Sequence, residues 1–100
     1  MPSADSVIGA SVERTGDALR FAGALLRADV ATVWKQAATR LDGVRRFELD
    51  AVSRVDSAGV ALLAELAARC GDVQIEGLPA GLSELRAAYR LTPSLRFAAA

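Results

Sequence analysis

Histidine is absent from this sequence, cysteine occurs once, and the charges cancel, with 12 Lys+Arg against 12 Asp+Glu. Without imidazole the common zinc and haem sites and the usual general base cannot be assembled, and Cys70 has no partner for an internal disulfide. No metal and no cofactor are expected, and a reducing cytosol suits the chain. Zero net charge supplies no field to attract phosphate backbones or anionic lipid, so nucleic acid is not an expected partner, although 11 of the 12 basic residues are arginines and Arg45-Arg46 form a local pair. The longest uncharged run, Ser57 to Ala64, falls far short of the ~20 apolar residues of a membrane-spanning helix, so no direct membrane insertion is expected. The opening residues Met1 to Ser6 lack the basic start and apolar stretch of an export signal.

What is present is apolar: 52% of 100 residues. That is enough for one core and too little for two, so residues 1–100 are read as a single domain with its core at about 7–97. Ile8, Ala10 and Val12 alternate with polar or small residues, Thr15-Gly16-Asp17 offers a turn, and Leu19, Phe21 and Gly23 alternate again, which predicts a hairpin. Asp29 suits an N-cap, and Val30, Val33, Trp34, Ala37 and Leu41 form a helical stripe that Asp42-Gly43 ends. Phe47, Leu49 and Ala51 alternate with Arg46, Glu48 and Asp50. A strand so polar on one side implies helices mainly on the other face of the sheet.

Ser57 is expected to cap a second helix that runs to about Arg69 with Gly71 beyond it, a role worth about 1 kcal/mol. Val73, Ile75 and Gly77 outline a fourth strand. Pro79 suits the start of a third helix whose buried stripe is Leu82, Leu85 and Tyr89, ending before Thr92-Pro93. The order strand, strand, helix, strand, helix, strand, helix predicts an α/β domain with a mixed four-stranded sheet, strands two to four being parallel.

No phosphate-binding glycine motif and no nucleophile elbow occur, and so no catalytic residue is assigned. Cys70, near a helix C-terminus, reads as a small core thiol, Trp34 as core rather than an interface anchor, and Asp50 and Asp56 as solvated loop charges. The informative stretch is Val52 to Leu63. Beyond capping, the Ser57 hydroxyl is exposed at a helix N-terminus, where a phosphate or a partner's acidic group is favoured. Ala58 and Gly59 leave the first turn nearly bare for another backbone to approach. Val60 and Leu62 are not expected to be buried together with Leu63 and Leu66, which leaves apolar surface beside Ser57.

Val55-Asp56-Ser57-Ala58-Gly59-Val60 resembles the Asp-Ser/Thr-x-Gly-hydrophobic signature of STAS domains, and the order of elements matches. Thr15-Gly16-Asp17, Trp34, Ser53-Arg54-Val55-Asp56 leading into Gly59 to Leu63, and Leu85 to Leu91 are similar, more narrowly, to the MlaB-type members of that family. The similarity covers roughly residues 12–97. It implies a STAS-like fold and a non-catalytic cytoplasmic subunit of a Gram-negative phospholipid-transport ABC complex. Such a subunit is peripheral to the inner membrane and is held there by an MlaF-like ATPase subunit, itself joined to a membrane permease. The partner-binding residues implied are Arg54, Asp56, Ser57, Ala58, Val60 and Ala61. The alternative within the family is an anti-sigma factor antagonist phosphorylated at Ser57. Two departures stand out: Ser57 replaces the Thr common in MlaB-type chains, and Gly23-Ala24-Leu25-Leu26 lacks both acids of the Gly-Glu-Leu-Asp found in many STAS domains.

Overall fold

The computed structural model describes residues 10–93 and Leu95. Ile8 and Gly9 of the expected hairpin, and the outer limits of the expected core, lie outside the described residues. The elements are β1 (Ser11–Thr15), β2 (Ala18–Leu25), a 3-10 turn (Arg27–Asp29), α1 (Val30–Ala37), β3 (Arg46–Val55), α2 (Ser57–Cys70), β4 (Gln74–Glu76) and α3 (Leu82–Ala88). One sheet runs in the order β1-β2-β3-β4, with β1 antiparallel to β2 and the other pairs parallel. This is the expected α/β architecture. No helix among the described residues is long and apolar enough to cross a membrane.

Alternation places Leu19, Phe21, Phe47 and Leu49 on one side of the sheet, where they meet Val33 of α1, Leu63 and Leu66 of α2 and Leu82 of α3 in a single buried cluster. Phe21 and Phe47 pack edge to face at its centre, 5.4 Å apart. The other side carries Arg20, Arg46, Glu48 and Glu76. Arg46 lies 3.1 Å from Asp17, 3.1 Å from Glu48 and 3.2 Å from Glu76, and so neutralises two glutamates that face each other across β3 and β4. The helices crowd one face, as the polarity of β3 predicts.

Several boundaries differ from the sequence reading. β3 runs on to Val55 rather than ending near Ala51, and its pairing with β2 slips between Arg20 and Ala22. The slip turns Ala51 outward and Val52 into the core, against simple alternation. α1 ends at Ala37, four residues early, and Arg14 reaches across to the carbonyls of Arg40 and Asp42 in the turn that follows. Asp29 does not cap α1; its carboxylate accepts instead from the N–H groups of Leu26 and Ala10.

β4 is reduced to Gln74–Glu76, without Val73 or Gly77. α3 starts at Leu82 rather than Pro79, because Ala80 is still held beside β3 by the Val55 N–H, 2.9 Å from its carbonyl. Tyr89 is 44% exposed and lies outside the buried stripe. Trp34 falls between the two roles considered for it: half-buried against the core, with the Arg69 guanidinium 4.8 Å above its ring.

Candidate protein-interaction site

The N-terminus of α2 is built by Asp56, not Ser57. Asp56 has extended backbone angles, and its Oδ1 accepts the Gly59 N–H at 2.9 Å, which is the geometry of an N-cap. Ser57 is already the first helical residue, and its exposed hydroxyl makes no hydrogen bond among the described residues. Two neighbouring residues could cap here. Asp56 prevails because its second oxygen, Oδ2, also accepts the Arg27 N–H at 2.9 Å, tying the 3-10 turn to the helix. Asp56 is therefore not a solvated loop charge. The Gly59 bond, opposed by burial and joined by the Arg27 bond, holds its carboxyl below the ordinary value of 3.8.

Gly59 sets how close the helix comes. A Cβ there would stand 2.1 Å from the Leu25 carbonyl oxygen, so only glycine lets the first turn of α2 rest on the end of β2.

Beyond that turn α2 lies between α1 and α3 over the sheet, and Val60 (0%), Leu62 (4%), Leu63 and Leu66 are all buried. At about 100° per residue these positions, with Gly59 and Ala67, span an arc of roughly 160°, wider than one stripe because neighbours cover both flanks. The apolar surface beside Ser57 is thus not supplied by Leu62, and Val60, itself fully buried, adds little to it. That surface comes from a row of small residues, Ser57, Ala61 and Ala64, at i, i+4 and i+7.

That row forms one wall of an open groove of about 350 Å³. Arg27, Ala58, Tyr89 and Leu91 complete the lining, and the buried Val60 contributes to it. Of the residues expected to bind a partner, the fold brings Ser57, Ala58, Val60 and Ala61 together in this groove. Asp56 stands behind it as the cap. Arg54 does not line it: next to the inward Val55, it projects from the open face of the sheet, where its backbone bridges Ala80. Sequence reasoning missed Arg27, Ala64, Tyr89 and Leu91. Ala64 was findable from the i+7 spacing, and Tyr89 from its place at the end of a short helix, but nothing in the sequence brings Arg27 beside Ser57.

A family model described as Mlab, STAS domain, matches residues 9–96, nearly the whole chain. The chain belongs to the MlaB-type STAS family. No curated protein matches it. The part of the chain that carries the STAS signature, Asp56 to Val60, is the part that builds the cap and the near end of the groove. In this STAS domain the signature residues divide their work: Asp56 fixes the helix start, Gly59 permits close packing, and Ser57 and Ala58 face outward.

Proposed function

We propose that this STAS domain is a non-catalytic accessory subunit of an ABC transporter that moves phospholipid. It sits on the cytoplasmic face of the inner membrane, bound to the MlaF-like ATPase subunit of a complex that also contains a permease. The observation that carries this reading is the groove along the first two turns of α2: Ser57, Ala58, Ala61 and Ala64 present little more than methyl groups and a hydroxyl, so a partner helix can approach α2 closely. Membership of the MlaB-type STAS family supports an ABC-transporter ATPase as the partner.

One observation favours a second reading, an anti-sigma factor antagonist phosphorylated at Ser57. The Ser57 hydroxyl is exposed and not engaged in capping, which leaves it open to a kinase. The two readings separate by partner. Co-purification with the transporter's ATPase subunit should succeed for the wild type and Ser57→Thr, and Ser57→Asp should bind about tenfold more weakly because an anion beside Asp56 must be desolvated on docking. Equal recovery of the wild-type, Ala, Thr and Asp forms would remove Ser57 from the interface. Failure of the wild type to bind the ATPase, with phosphate found on Ser57 of protein from its own host, would favour the second reading.

A further inference from the structure

Among the described residues, the groove has one charged lining residue, Arg27. Arg20, Arg46 and Arg69 each pair with a carboxylate; Arg27, like Arg40, Arg45 and Arg54, has no ion pair among the described residues, and it alone of these lines the groove. Its backbone is nonetheless firmly placed. The Arg27 N–H donates to Asp56 Oδ2 at 2.9 Å, and Asp29 closes the same turn by accepting from Leu26 and Ala10. An exposed guanidinium thus stands, on an anchored turn, at the side of a groove otherwise lined by Ser57, Tyr89 and aliphatic side chains.

We propose that Arg27 is the specificity-determining residue of this groove, and that the occupant is a segment of the ATPase subunit presenting a carboxylate beside an apolar side chain. The inference rests on the function proposed above and deepens it. Docking over the groove covers the guanidinium, and a desolvated cation without a counter-charge opposes binding, so the partner must supply an anion where Arg27 ends. A carboxylate accepts two parallel N–H bonds from arginine, which fixes orientation as well as charge. Because Asp56 and Asp29 have already ordered the turn, little backbone freedom is lost on binding. A phospholipid headgroup is a poorer match, since it brings an anion without an apolar group to cover Ala61, Ala64 and Leu91.

The test is the affinity of the full chain for the purified ATPase subunit by titration calorimetry, at about 0.1 M and about 0.5 M salt. Wild type, Arg27→Gln, Arg27→Glu and the groove-blocking Ala61→Arg are compared, with thermal melts to establish that each is folded. We expect Arg27→Gln to lose several-fold in affinity and most of the salt dependence, Arg27→Glu to lose at least about tenfold, and Ala61→Arg to abolish binding. If Ala61→Arg abolishes binding while both Arg27 variants keep wild-type affinity and salt dependence, the groove is the interface and Arg27 does not read it, which overturns this inference alone. If the wild type does not bind, or Ala61→Arg binds normally, the proposed interface fails and the inference with it. Binding of the wild type to phosphatidylglycerol vesicles that is lost in Arg27→Glu would assign the cation to lipid and overturn the inference as well.

Discussion

Asp56 holds Arg27 by its backbone: the same carboxylate that caps α2 through Gly59 accepts the Arg27 N–H at 2.9 Å. One side chain therefore sets both the start of the helix and the position of the turn beside the groove. Asp56→Ala should lose the cap and the tie together and cost about 1–2 kcal/mol of stability, whereas Ser57→Ala should cost less than about 0.5 kcal/mol. Denaturant melts of the two variants decide it. A larger loss for Ser57→Ala would return the cap to Ser57.

The same bonds make stability depend on acid. With the folded carboxyl of Asp56 held below its ordinary 3.8, its contribution is fully present above that value and is lost as pH falls through the lower folded value. Asp56→Asn should therefore be less stable than wild type at neutral pH, and the gap should close on acidification below about pH 4. Urea midpoints at a series of pH values measure it. A gap that stays constant to pH 2 would show that the charge contributes nothing.

Gly59→Ala should be among the most damaging single-methyl changes in the protein. The added Cβ meets backbone, the Leu25 carbonyl, which cannot turn aside as a flexible side chain could. A loss of about 3 kcal/mol is expected as α2 lifts from β2. A melt within about 0.5 kcal/mol of wild type would mean that the helix start is not packed as closely as described.

Arg90 follows α3 with φ 55, and the Leu91 N–H returns to the Arg86 carbonyl at 2.9 Å. This is a helix stop that favours glycine. Arg90→Gly should be neutral or stabilising by up to about 1 kcal/mol, the relief of the left-handed backbone being partly offset by the entropy of glycine in the unfolded chain. Thermal melts check the sign; a clear loss would mean that the Arg90 side chain contributes more than its backbone costs.

The architecture was legible because its signals are periodic. Arg46, Glu48 and Asp50 against Phe47 and Leu49 pointed to a sheet covered on one face, and the Ala- and Leu-rich run after Asp56 pointed to α2. What escaped depends on contacts between distant residues. Asp56 and Ser57 are equally good caps as neighbours in a sequence, and only the Arg27 N–H, 29 residues away, distinguishes them. The slip that buries Val52 and exposes Ala51 has no glycine or proline within β3 to announce it; Gly23 of β2, opposite Val52 with φ 85, marks a second slip in the same pairing. A single stripe does not admit Val60 and Leu62 together beside Leu63 and Leu66, but α1 and α3 flank α2 and both are buried. The groove itself was half visible: Ser57, Ala58 and Ala61 come from one helix, while Arg27, Tyr89 and Leu91 arrive by tertiary packing.

Hydrogen–deuterium exchange of the full chain, with and without the transporter's ATPase subunit, tests the central claim most directly. The account predicts slower exchange at residues 57–64, 27–29 and 89–91 in the complex, with the strand amides behind Arg20, Glu48 and Glu76 unchanged. Protection confined to the strands of the open sheet face, or none anywhere when binding is saturated, would contradict it.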